Sequence, residues 1–126
     1  MQNFPKIVVL DMDGTLTESR EPLAPSMSVL VGRLLERSPL TLMTSGSFEQ
    51  VQLQFLDTLP RGADFSRIYI FTLSGAQFYS FDNGDWIQHY NEAFSSDEKE
   101  EINSAIAQAV AESGYPTPEK VWGEQI

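Results

Sequence analysis

Apolar residues arrive along this chain in two rhythms. Ile7-Val8-Val9-Leu10 is a continuous run between Lys6 and Asp11, the pattern of a strand buried on both faces. Asp13-Gly14-Thr15 breaks it, and Pro22 and Pro25 keep the next stretch out of regular helix. From Ser26 the rhythm changes. Met27, Leu30, Val31, Leu34 and Leu35 recur at helical spacing, with Ser26 placed to cap the helix and Pro39 to close it. Leu40 to Met43 is a second short apolar run. After the turn Thr44-Ser45-Gly46-Ser47, residues Phe48, Val51, Phe55 and Leu59 mark another helix, which Pro60-Arg61-Gly62 ends. Ile68-Tyr69-Ile70-Phe71 reads as a third strand. Residues 6–71 therefore predict strand–helix–strand–helix–strand, an α/β fold with a parallel sheet and right-handed crossovers.

Beyond residue 71 the style changes. Ala76 to Phe81 and Trp86 to Tyr90 flank Asp82-Asn83-Gly84-Asp85, and Asn-Gly between two such runs predicts a hairpin. Ser95 and Glu98 have the spacing of a capping box. The helix they open carries Ile102, Ala105, Ile106, Ala109 and Val110 on one face, and Gly114 is placed to end it. Pro116 and Pro118 mark a linker, and Val121 to Ile126 begins what reads as another strand.

Composition narrows the partners. The chain has 126 residues, 18 Asp and Glu against 8 Lys and Arg, a formal charge of −10, and no cysteine. That length suits one compact domain. Nucleic acid and anionic membrane surfaces are disfavoured, because both need clustered cationic side chains. No apolar run reaches the length of a membrane span, and no signal peptide is visible at the start, so a soluble cytoplasmic protein is expected. Disulfides, thiolate zinc sites and cysteine nucleophiles are excluded. The acids concentrate toward the C-terminus, where a solvated helix face is the simplest account.

The candidate chemistry sits where the first strand ends, at Asp11-Met12-Asp13-Gly14-Thr15. Ligands of open parallel sheets bind beyond the carboxyl ends of strands. Two carboxylates two residues apart can project to one side there, and their mutual repulsion is relieved by a hard cation such as Mg²⁺. One carboxylate could attack a phosphoryl group, and the other could carry protons to and from the leaving group or water. Thr44-Ser45-Gly46 follows the second strand and offers hydroxyls and N–H groups to a phosphate.

Asp11-Met12-Asp13-Gly14-Thr15-Leu16-Thr17 resembles the first motif of the haloacid dehalogenase-like phosphatase superfamily. The resemblance implies a Rossmann-like parallel sheet with helices on both faces. It makes Asp11 the nucleophile and a Mg²⁺ ligand, and Asp13 the general acid/base and second metal residue. Thr15 would orient the loop. It places a phosphate-binding Ser or Thr after the second strand, with Ser45 favoured, Thr44 the alternative, and Gly46 beside them. Ser45 to Gln52 is similar to the corresponding stretch of eukaryotic-type phosphomannomutases. Ser74-Gly75-Ala76 and the hairpin after it resemble the branch with a large inserted α/β cap, with Ser74 where Asn is usual. Arg20 falls where phosphomannomutase-like proteins have an Arg near the first motif, and it could pair with a sugar phosphate, although a solvent-facing loop Arg is the simpler account.

On this resemblance residues 1–90 are the first part of a core, and residues 91–126 are a linker and the start of a cap. The family also needs a Lys against the aspartyl phosphate and a later acidic pair. Lys6, Lys99 and Lys120 do not stand in the expected setting, so the chain reads as a truncated, N-terminal portion of such an enzyme. The expected substrate is a sugar phosphate or similar small phosphorylated metabolite, with little activity from this chain alone. A catalytically silent binding fragment is the alternative, and the open sheet edge left by a missing second half invites self-association. A receiver domain would need a phosphoacceptor Asp at the end of the third strand, but Asp57 falls within a helical pattern. His89, Trp86 and Trp122 read as structural or surface residues.

Overall fold

The computed structural model describes residues 3–116, and the strand expected at Val121 to Ile126, with Lys120 and Trp122, lies outside the described residues. The chain divides into two compact units between Glu92 and Ala93.

The first unit is built on a five-stranded mixed sheet. Its strands, in both chain and spatial order, are β1 (Val8–Asp11), β2 (Leu40–Met43), β3 (Ile68–Thr72), β4 (Gln77–Asp82) and β5 (Asp85–Asn91). Strands β1 to β3 are parallel, with Val8 beside Leu40 and Leu40 beside Ile68. Helix α1 (Pro25–Leu35) links β1 to β2, and α2 (Phe48–Gln54) links β2 to β3. The α/β fold with a Rossmann-like parallel core is thus present, extended by the expected antiparallel hairpin. Asn83 and Gly84 turn that hairpin with φ of 50° and 88°, the left-handed pair that an Asn-Gly turn supplies.

The resemblance implies helices on both faces, yet α1 and α2 share one. Leu40, Leu42, Ile68 and Ile70 alternate onto the same side of β2 and β3, and there they meet Val31 and Leu35 of α1 and Val51 of α2. The reason is topological: right-handed crossovers that step in one direction across a sheet return over the same face. The two helices also touch through their flanks. Ser28 Oγ donates to the Thr58 carbonyl at 2.5 Å, and Leu23 N–H donates to the Gln54 carbonyl at 2.9 Å.

Three further expectations change. β1, at one edge of the sheet among the described residues, is covered on one face and not on both: Val8 and Leu10 point inward, while Val9 is 56% exposed. A continuous apolar run does not reveal which side its neighbours cover. Helix α1 starts one residue early, with Ala24 as N-cap, Pro25 in the first turn and no side-chain cap, so Ser26 is already inside. Proline's fixed φ and missing N–H suit that position and replace the hydroxyl cap. Leu30 faces solvent. Ser47, the last residue of the Thr44–Ser47 turn, caps α2 through a capping box with Gln50.

Aromatic side chains tie the hairpin to the helical face. Phe48 lies 4.4 Å from Tyr79 and 5.7 Å from Trp86, ring centre to ring centre. On the opposite side of β4, Phe78 stacks between Phe71 at 4.5 Å and His89 at 4.7 Å. His89 also meets the Ser80 hydroxyl at 2.6 Å, which gives it a structural place.

The second unit contains α3 (Ser96–Ser113), an exposed helix with no buried residue. Local signals hold it. Ser95 and Glu98 exchange capping-box bonds, and Gly114 ends it with a φ of 70°. The Ser95 backbone N–H, then its hydroxyl, hold the Glu98 carboxyl below the usual glutamate value. No helix among the described residues is long and apolar enough to cross a membrane.

Candidate functional site

Because β1 to β3 are parallel, their carboxyl ends open at one end of the sheet. Asp11 is the last residue of β1 and pairs in register with Met43, the last of β2. Asp11 and the segment beginning at Thr44 therefore leave adjacent strands side by side. The structure brings the acid motif and the hydroxyl motif together at this end.

The acid loop folds on itself. Met12 is fully buried between the two acids, while Asp11 is exposed and Asp13 partly buried. The Met12 carbonyl accepts N–H donors from Thr15 at 3.2 Å, Leu16 at 2.9 Å and Thr17 at 3.1 Å. Thr17 also donates its hydroxyl to that carbonyl at 3.3 Å, and its own carbonyl accepts the Gly14 N–H at 2.8 Å. The Thr15 hydroxyl reaches Asp11 Oδ2 at 3.4 Å, a long contact consistent with orienting the loop. Asp13 Oδ1 accepts the Arg20 backbone N–H at 2.9 Å. Arg20 thus meets the site through its amide, in a left-handed conformation with φ of 62°, while its side chain is exposed.

The hydroxyl loop is held differently. Thr44 is buried, and its hydroxyl accepts the Gly46 N–H at 3.0 Å. Ser45 is exposed, and its hydroxyl has no partner among the described residues. Of the two hydroxyls, Ser45 is the one free to meet a ligand, while Thr44 shapes the loop. A third segment, whose role sequence reasoning missed, completes this half. The turn Leu73–Gly75 after β3 donates the Leu73 N–H to the Gly46 carbonyl and the Ser74 N–H to the Thr44 carbonyl, both at 3.0 Å. Leu73, Ser74 and Gly75 have φ of 49°, 56° and 95°. The available signal was Ser74-Gly75 at a strand end, where a left-handed turn is cheapest at glycine.

A cleft of about 600 Å³ runs beside the acid loop, lined by Gly14, Thr15, Thr17, Glu18, Glu21 and Met27. Its two glutamates disfavour a bare anion there. Asp11 and Asp13 match the one or two carboxylates that Mg²⁺ takes before water and phosphate complete its shell. Among the described residues no group of three His, Cys, Asp or Glu side chains gathers to hold a metal more firmly. Asp57 stands in a short 3₁₀ turn, Leu56–Thr58, and bonds Gln52; it ends no strand, so the receiver-domain arrangement is absent.

No protein-family model matches the sequence, and no curated protein matches it. Solved structures do. An IMP-bound, N-terminally truncated IMP-nucleotidase from Plasmodium falciparum superposes with a TM-score of 0.60 at 12% identity, over 95% of this chain and 38% of that one. A haloacid dehalogenase-like hydrolase from Bacteroides thetaiotaomicron matches with a TM-score of 0.58 at 18% identity, over 85% of this chain and 37% of that one. At such identities the likeness concerns the fold, and this chain spans well under half of either neighbour.

Proposed function

The chain has a haloacid dehalogenase-like fold, and on that premise we propose that it carries the phosphoryl-accepting half of a phosphatase or phosphomutase site. One observation supports this most. Asp11 and the Thr44–Gly46 loop leave neighbouring parallel strands in matched register, so a carboxylate nucleophile and phosphate-binding donors flank one space.

The substrate is a sugar phosphate or a similar small phosphorylated metabolite. An Asp11 carboxylate oxygen attacks phosphorus as the bond to the leaving oxygen breaks, giving an aspartyl phosphate. Asp13 delivers a proton to the leaving oxygen. It then takes a proton from the acceptor hydroxyl, of water for hydrolysis or of a sugar for mutase transfer, as that oxygen bonds phosphorus and the Asp11 oxygen–phosphorus bond breaks, returning Asp11 as a carboxylate. Ser45 and the free N–H groups of its loop hold phosphoryl oxygens. Asp11 and Asp13 would hold Mg²⁺, which would supply positive charge to the phosphoryl group. Arg20, whose amide bonds Asp13, would turn its exposed side chain to the sugar end. Self-association along the outer edge of β1, which has no neighbouring strand among the described residues, belongs to the same reading.

A catalytically silent fragment is favoured as the second reading by the lack of a third carboxylate near the acid pair among the described residues. Electrostatic stabilisation is the largest part of phosphoryl transfer, so turnover by this chain is small. Two measurements separate the readings. With Mg²⁺ and beryllium fluoride, ¹⁹F NMR should show a bound signal that Asp11→Asn removes. Hydrolysis of p-nitrophenyl phosphate should stay near background. Absence of the bound signal sinks the proposed site, and strong hydrolysis abolished by Asp11→Asn sinks the expectation of weak turnover.

A further inference from the structure

The opposite end of the parallel sheet carries an unusual charge pattern. A cleft of about 400 Å³ lies between the last turn of α1 and the segment that leads into β3. Arg33, Arg61 and Arg67 line it, three of the eight Lys and Arg of a chain with a formal charge of −10. The three arginines come from three places: the end of α1, the loop after Leu59, and the 3₁₀ turn Phe65–Arg67. None of them forms an ion pair or hydrogen bond within the described residues. Arg67 Nε is buried without a partner, although a buried charged donor is costly to leave unpaired.

Two acids, Glu36 and Asp64, also line the cleft, so three cations face two anions there and the balance is positive. Asp64 Oδ1 turns toward Ser66, taking its N–H at 3.1 Å and its hydroxyl at 2.5 Å. The walls are set by close contact. A Cβ on Gly32 would stand 3.0 Å from Pro60 Cγ, so the glycine lets the 60–64 loop lie directly against α1.

We propose that this cleft binds a compact phosphate-type anion, a mono- or diphosphate group, independently of the acid loop. Guanidiniums arriving from three elements suit a tetrahedral group with oxygens on several sides. A planar carboxylate is satisfied by a single fork. Buried Leu35 forms an apolar part of the wall, and charge-assisted bonds made beside it are less screened than in open water.

The test is a ¹H–¹⁵N NMR titration of the 126-residue chain with pyrophosphate at low salt, without divalent cations. Saturable shifts are expected at Arg33, Arg61, Gly62 and the Arg67 side-chain Nε–H. Arg33 and Arg61 are exposed, so the Arg33→Gln/Arg61→Gln variant should keep its dispersed spectrum and bind about tenfold more weakly. Arg67→Lys keeps charge and stem but removes the buried Nε–H, and should weaken binding too. Shifts confined to Thr44–Gly46, unchanged affinity in these variants, or citrate binding more tightly than pyrophosphate at matched ionic strength would each overturn the proposal.

Discussion

The two loops that carry the candidate chemistry are held in opposite ways. The acid loop is self-contained: the Met12 carbonyl gathers three amides, and Asp13 closes on the Arg20 N–H. It leaves an edge strand, and its deepest anchors are Met12 and Thr17 from its own sequence. The hydroxyl loop is clamped from outside. Leu73 and Ser74, just past the carboxyl end of β3, reach its carbonyls, and its Thr44 N–H donates to the Phe71 carbonyl. One half of the site is a local knot, and the other is an assembly of distant segments. A local knot keeps its shape with little help, whereas a clamped loop depends on the whole sheet being in place.

The sharpest way to break that contrast is to remove the knot's anchor. Met12→Ala empties a fully buried position and should cost about 2–5 kcal/mol in urea unfolding. Hydrogen exchange should rise at the Leu16 and Thr17 amides more than at Leu73 and Ser74. A cost below about 1 kcal/mol, or equal loosening of both loops, would show that Met12 is not what pins the acid loop.

The contrast also explains what could be read from the sequence. The acid loop was legible because its contacts lie within one contiguous stretch. The hairpin was legible for the same reason, through Asn83 and Gly84, and so was the cap at Ser95. The clamp was not, because nothing near Thr44 in sequence names Leu73 as its partner. Burial of β1 was misjudged on similar grounds. Val9 is as apolar as Val8, and only the arrangement of α1 and α2 on one face decides which is covered. Ser26 failed as a cap because Pro25 had already started the helix.

Glycine substitutions sharpen the comparison at smaller scale. Gly14 has a φ of 75°, and a Cβ there would meet nothing within 4 Å, so Gly14→Ala should cost about 1–2 kcal/mol of pure backbone strain. Gly46 has no such strain, but a Cβ there would lie 2.6 Å from Gln50 Oε1, the acceptor of the Ser47 N–H. Gly46→Ala should cost about 1 kcal/mol, the worth of the capping box it displaces. That cost should vanish in a Gln50→Ala background, whereas the Gly14→Ala cost should stay. Thermal or urea unfolding of the single and double variants decides it, and full additivity at Gly46 and Gln50 would contradict the clash.

The smallest effect tests the clamp itself. Ser74 sits in the left-handed region with φ of 56° and ψ of 32°, and its N–H holds the Thr44 carbonyl. Asn tolerates that conformation better than Ser, and a β-branched residue tolerates it worse. Ser74 is exposed, so its side chain contributes little else. Ser74→Asn should therefore stabilise the fold by about 0.5 kcal/mol, the scale of exposed substitutions, while Ser74→Val should destabilise it. The sign carries the argument, since a clamp that depends on a left-handed turn must favour Asn over Val. If both variants shift unfolding the same way, the turn is not under conformational load, and the Thr44–Gly46 loop owes its shape to its own Thr44–Gly46 bond and capping box.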